Sequence, residues 1–200
     1  MPWIKKKEWE AAIREKRVTY DIYAELPEDG QRYEVLDGAL ELMSGPSLVH
    51  QMLGGKLHLI TQSCSSAYFI LLAPLDVILS PRNVAQPDVI FIHRSRTDIM
   101  TMRGIEGAPD LVVEVLSPGS RHRDKVRKLD IYGRHGVQEY WILDPVARTL
   151  ERYEQEGDRL TLIALFEGED RVVSEKLPCI SFALSELFAE EQIGRLLAGG

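Results

Sequence analysis

Cysteine is scarce in this chain: Cys64 and Cys179 are the only two in 200 residues. That is too few for a disulfide framework or a four-ligand metal cage, and Cys64 reads as a small packed residue. No apolar run approaches the roughly 20 residues of a membrane helix, so no spanning segment and no membrane partner are expected. The opening MPWIKKKEWEAAIREKR is charged with no uninterrupted apolar stretch behind it. It does not read as a secretory signal, and a cytoplasmic location is the default expectation. There is no P-loop, no G-x-G-x-x-G and no G-x-S-x-G elbow, which removes the common nucleotide-cradling and serine-hydrolase signatures. Internal repeats and low-complexity tracts are also missing. Basic charge is in deficit, with 24 Lys/Arg against 31 Asp/Glu and a net charge of -7. A non-specific nucleic-acid binder normally carries a basic footprint.

What is present is the composition of a folded protein, 44 % apolar and 28 % charged. The length suits one domain over residues 1–200, with a helical N-terminal segment at 1–26 and a core at about 30–185. The charge is uneven. Residues 120–135 hold six Lys/Arg against Asp124 and Asp130, a local excess of four positive charges, and the rest of the chain carries -11. Local potential decides whether a phosphate is attracted.

Elements follow from pattern. Residues 5–25 read as helical, with Thr19 placed to cap a second short helix. Asp37-Gly38 between two strand-like runs fits a type I′ hairpin turn. Residues 46–63 fit a helix weakened in its middle by Gly54-Gly55. Strands are expected at 68–72, 75–79 and 87–92, and residues 97–107 look like a loop. LVVEVL at 111–116 is a short apolar run of the kind buried on both faces of a sheet. A basic helix at 121–134 and a strand at 137–143 follow. A hairpin turns around Glu156-Gly157-Asp158, a short strand covers 171–173, and a final helix covers 185–197. The mixture implies an α/β or α+β fold with a mixed sheet.

Glu114 lies inside the buried run. A carboxylate there must be paired, metal-bound or protonated; a structural ion pair is the plain alternative to a functional role. Asp88, after Pro87, opens the next apolar strand at a sheet rim, where a turn aspartate is the plain reading. Adjacent strands would bring the two acids to one edge. Two carboxylates with waters and a phosphate oxygen suit Mg²⁺, and the Val115 carbonyl offers a third protein ligand. Lys128 shares a helical stripe with Asp124 and Tyr132 and could orient an activated water, with Lys125 as the competing candidate and a solvated basic face as the alternative. Glu34 is a third acid in a strand, able to join the metal or hold the lysine. His50, near the start of the 46–63 helix, is a possible phosphate donor or proton carrier. Trp141 and Tyr140 read as core.

The stretches YEVLDGAL, QPDVIFI and GAPDLVVEVLSPGSRHRDKVRKLDIYGRHGVQEYWILDP resemble the Uma2 family of endonucleases, members of the restriction-endonuclease-like, PD-(D/E)XK superfamily. The resemblance covers roughly residues 18–185. It implies a mixed sheet of four or five strands flanked by helices, with an added hairpin. It also implies metal-assisted phosphodiester hydrolysis. By that resemblance Asp88 and Glu114 match the metal ligands, Glu34 the early glutamate and His50 the histidine opening the long helix. The superfamily places lysine two residues after the acid; here Leu116 stands there, and in this branch the lysine moves to the following helix, at Lys128. Arg121 and Arg123 are then candidates to hold the phosphate backbone, contacts without sequence information. The leading expectation is a Mg²⁺- or Mn²⁺-dependent DNA endonuclease. A catalytically silent nucleic-acid or protein-binding module and a metal-dependent hydrolase of small phosphorylated molecules remain alternatives. A homodimer through the hairpins is a further expectation.

Overall fold

The run at 111–116 becomes the centre of the molecule. The computed structural model describes residues 6–45, 47–117 and 119–198. Chain order opens with α1 (Lys6–Arg14) and α2 (Tyr20–Ala24), the latter capped by Thr19, whose Oγ accepts from Ile22 N. Strands β1 (Tyr33–Leu36) and β2 (Ala39–Leu42) form the expected hairpin. Its turn residues Asp37 and Gly38 have φ of 51° and 79°, as a type I′ turn requires. Helix α3 (Leu48–Ile60), capped by Ser47, runs straight through Gly54-Gly55.

Then follow β3 (Tyr68–Leu72), β4 (Val77–Ser80), β5 (Asn83–Ala85) and β6 (Val89–His93). Residues 97–107 are not a plain loop. They hold a short 3₁₀ turn and the two-residue strands β7 (Met100–Thr101) and β8 (Gly104–Ile105). Those strands are too short to leave an alternation in sequence. Next come β9 (Leu111–Val115), a π-helical segment Arg123–Lys128, α4 (Leu129–Arg134) and β10 (Glu139–Asp144). The hairpin β11 (Thr149–Glu156) and β12 (Arg159–Glu167) is followed by the pair β13 (Arg171–Val173) and β14 (Ser181–Ala183). The expected C-terminal helix is divided: a 3₁₀ segment at Leu184–Phe188 precedes α5 (Glu191–Ala198).

The main sheet has six strands in the order β12-β11-β10-β9-β6-β3, larger than the four or five expected because the β11–β12 hairpin extends it. A second sheet runs β2-β1-β5-β4-β8-β7. β9 pairs parallel with β10 and antiparallel with β6, and every residue of β9 is buried. Its alternation divides two cores. Leu111, Val113 and Val115 pack with Leu53 and Leu57 of α3, while Val112 and Leu116 pack with Tyr132, Tyr140 and Ile142. Glu114 therefore shares the face of Val112 and Leu116, toward the helix that crosses from β9 to β10. That crossover lies close to the sheet: a Cβ on Gly133 would meet Arg159 Cα at 2.9 Å.

Reading Cys64 as a lone packed residue is corrected. It is fully buried and forms a disulfide with Cys179, their Cα atoms 5.1 Å apart. A separation of 115 residues gives no local signal of such a pairing.

Candidate active site

Strand register brings the two acids together. β6 and β9 are antiparallel with Val89 opposite Val113, and Asp88 N donates to Val113 O at 3.1 Å. Continuing that register by one residue sets Asp88 opposite Glu114, side chains on one face. Regular pairing stops there, and Asp88 takes over from the missing strand: its Oδ2 accepts from Val115 N at 2.7 Å. A residue's N–H and C=O point to the same side of a strand, so the Val115 carbonyl faces Asp88 as well. Asp88 Oδ2 also lies 2.9 Å from His50 Nε2, presented by the first turn of α3.

Glu114 is 4 % exposed. Its Oε1 accepts from Lys128 Nζ at 2.7 Å and from Tyr132 Oη at 3.0 Å. Lys128, 1 % exposed, is held on its other side by Glu34 Oε1 at 2.7 Å and lies 3.6 Å from Asp124 Oδ1. The stripe Asp124–Lys128–Tyr132 thus faces Glu114 as the helical spacing predicts. Lys125 points elsewhere, onto Glu151. Of the two roles open to Glu34, its contacts are those of a lysine holder; its Oε1 also accepts from Gln86 N at 2.8 Å. Position 116 holds a buried leucine, and the amine reaches Glu114 from the helix instead.

Burial pushes the Glu114 carboxyl well above its ordinary range; the Lys128 ammonium opposes this, and the Asp124, Asp88 and Glu34 charges add to it. Burial alone would lower the Lys128 ammonium. The charges of Glu114, Glu34 and Asp124 outweigh it and hold the amine well above its usual value. Burial and then the Glu114 charge push the Tyr132 phenol up, which keeps it a hydrogen-bond donor.

A cleft of about 40 Å³ opens onto this cluster. Asp88, Glu114, Val115, His50 and Lys128 line it, and Arg123, Arg32 and Asp124 complete its polar wall. Arg123 Nε lies 3.5 Å from Glu34 Oε2 and 3.8 Å from Asp124 Oδ1. None of these three atoms makes a hydrogen bond, although each is buried. Arg121 is not brought into the cleft; its guanidinium donates to Asp144 at 2.7 Å. No sequence signal pointed to Arg32 or Gln86, and helical spacing put Asp124 on the Lys128 stripe without a role of its own in the site. Arg32 is braced by Gln86 Oε1 at 2.8 Å, a contact across 54 residues.

The donor set suits a hard divalent cation. Among the described residues no three His, Cys, Asp or Glu side chains form a metal-binding group. Mg²⁺ does not need one, since it keeps several waters and takes one or two carboxylates plus phosphate oxygens. Asp88 and Glu114 are the two carboxylates that would serve. Glu34, Asp88, Glu114 and Asp124 set four acids around the three fixed cations Lys128, Arg123 and Arg32, an excess of one acid that a bound cation would relieve.

Comparison with known proteins gives three results. The chain resembles a crystal structure titled as a "putative nuclease belonging to DUF820" from Anabaena variabilis. The TM-score is 0.73 and the identity 20 %, over 86 % of this chain and 98 % of that one. The mixed sheet flanked by helices is thus the restriction-endonuclease-like fold expected from the sequence. The chain is also 25 % identical to the uncharacterized protein slr1290 of Synechocystis sp. over 170 residues, 79 % of this chain and 84 % of the relative. A family model described as "Putative restriction endonuclease" matches residues 20–185, and the chain belongs to that family, Uma2.

Proposed function

We propose that this protein is a divalent-metal-dependent endonuclease that hydrolyses phosphodiester bonds in DNA. The observation that carries the reading is that Asp88 and Glu114 line one cleft, with Lys128 bonded to Glu114. Asp88, Glu114 and the Val115 carbonyl would hold Mg²⁺ or Mn²⁺. The bound ion would supply Lewis-acid polarisation of the scissile phosphate and a water acidified toward neutral pH. Lys128 fixes the Glu114 carboxylate and brings a positive charge beside the reacting phosphate. His50 Nε2 holds the same Asp88 oxygen that accepts from Val115 N. Arg123 and Arg32, both on the cleft wall, would orient the backbone phosphates. Self-association would use β12, an edge strand on which Leu162, Ile163 and Leu165 are exposed; light scattering reads it.

Mn²⁺ titration calorimetry on wild type and Glu114→Ala, run beside cleavage assays on plasmid and linear DNA, tests the proposal. Binding and cleavage present in the wild type and absent from the variant support it. Metal-dependent cleavage that survives Glu114→Ala overturns it. A silent binding module is favoured by one observation, the pairing of Lys128 with two carboxylates, Glu34 and Glu114, at 2.7 Å each. It predicts a melting midpoint indifferent to millimolar Mg²⁺, whereas an intact metal site raises the midpoint by mass action.

A further inference from the structure

Helix α3 contains a local contradiction. Gly54 and Gly55 stand in its middle, where glycine weakens a helix relative to alanine. Crowding, the usual reason for such a residue, is absent: a Cβ at either position would meet nothing within 4 Å. Gly54 is nevertheless buried. The space beside the two glycines is a cavity of about 130 Å³ between α3 and the end of β3. It is open on the side of the exposed Leu72 and Gln51, and Ala73, His50 and Asp88 line it as well. His50 and Asp88 also line the cleft described above, so one residue pair separates the two chambers. His50 Nδ1 is buried and makes no hydrogen bond.

We propose that this second chamber holds the nucleoside that flanks the scissile phosphate of a nucleic-acid strand. The inference deepens the nuclease reading and rests on it. A chamber of this volume is below the roughly 300–1,000 Å³ of a pocket that takes a whole small ligand, so it suits one unit of a longer one. No lysine or arginine lines it, whereas Arg32, Arg123 and Lys128 line its neighbour. The phosphate therefore belongs in the first chamber and the uncharged part of the nucleotide in the second. Leu72, Ala73 and the glycine backbone give the apolar faces that a base or sugar ring packs against, and Gln51 and His50 give polar edges. Without Cβ atoms the helix leaves a flat floor for a ring. A breach of local propensity with no packing reason is expected where function needs it.

The test uses Gly54→Ala and Gly55→Ala. Both add helix propensity into open space, so both variants fold, and each is expected to raise the melting midpoint by a few degrees. Mn²⁺ binding by calorimetry is expected to match the wild type. Affinity for a short fluorescein-labelled single-stranded oligonucleotide is measured by anisotropy, with Ca²⁺ as the hard-cation stand-in. It is expected to fall at least tenfold, because the added methyl groups occupy the floor. A raised midpoint with unchanged oligonucleotide affinity overturns the proposal, since the chamber would then be a packing defect only. A wild type that binds the strand but cleaves no DNA, with binding still lost in the variants, supports the subsite and refutes the nuclease reading. A wild type that does not bind the strand overturns the subsite proposal, while the nuclease reading still stands or falls on cleavage of plasmid and linear DNA.

Discussion

Removing the buried ammonium is the sharpest perturbation available. In Lys128→Met a chain of similar length replaces a side chain that is 1 % exposed. Two ion pairs at 2.7 Å and one contact at 3.6 Å disappear. With an effective dielectric of about 20, each 2.7 Å pair has a gross Coulomb energy of about 6 kcal/mol, much of it offset by the cost of burying the charges. Breaking such a pair strands its partners, and the net cost of that is about 3–5 kcal/mol. Against a total stability of about 5–15 kcal/mol the loss is severe but not always fatal. With a urea slope of about 2 kcal/mol/M, the unfolding midpoint should fall by about 2 M at pH 8. The deficit should depend on pH. Without the ammonium the folded-state value of Glu114 rises further above its unfolded value near 4.5. A carboxyl raised in this way binds a proton in the folded state where the unfolded chain has released it. Stability therefore falls as pH rises through that window and returns as pH falls toward 4.5. The gap between wild type and variant should narrow between pH 8 and pH 5. A companion Glu114→Gln change should recover part of the loss, as coupled neighbours do. Equal midpoints at pH 8, or a deficit that does not change with pH, would refute the account of the cluster.

Other outcomes follow from single contacts. Gly133→Ala forces a methyl group to within 2.9 Å of the β12 backbone and should cost about 1–3 kcal/mol in urea unfolding; an unchanged midpoint would contradict the close packing of α4. Reducing the Cys64–Cys179 bridge should lower the melting temperature, because a loop of 115 residues is released in the unfolded chain with a chain-entropy ceiling of about 5 kcal/mol. Melts with and without reductant measure this, and alkylation of both thiols in the unreduced, unfolded protein would disprove the bridge. Asp144 is held below its ordinary value of 3.8: burial opposes this, but Ala147 N, the Arg121 guanidinium and Val146 N more than compensate. Its contribution is present above pH 3.8 and lost as pH falls through the lower folded value, so Asp144→Asn should destabilise the protein at neutral pH and converge with wild type in acid.

The sequence alone determined the parts that depend on local period. Five consecutive strand residues with one acid among them, Leu111–Val115, identified a strand covered on both faces, because only such a strand has no polar side. Asp37-Gly38 fixed a hairpin, because few residues accept two successive positive φ values. The spacing of Asp124, Lys128 and Tyr132 put them on one stripe before any partner was known. The resemblance then joined Asp88, Glu114 and Lys128 into one set.

Tertiary structure decided what those local signals leave free. Arg121 and Arg123 are equivalent by composition and spacing. The turn of the helix sends one to Asp144 and the other into the cleft. Cys64 found Cys179 because α3 and the C-terminal segments pack on the same face of the main sheet. Gln86 became the brace of Arg32 and Glu34 through the pairing of β1 with β5. Each of these contacts joins residues far apart in the chain. A periodic pattern states which face a side chain takes, but not what stands opposite that face.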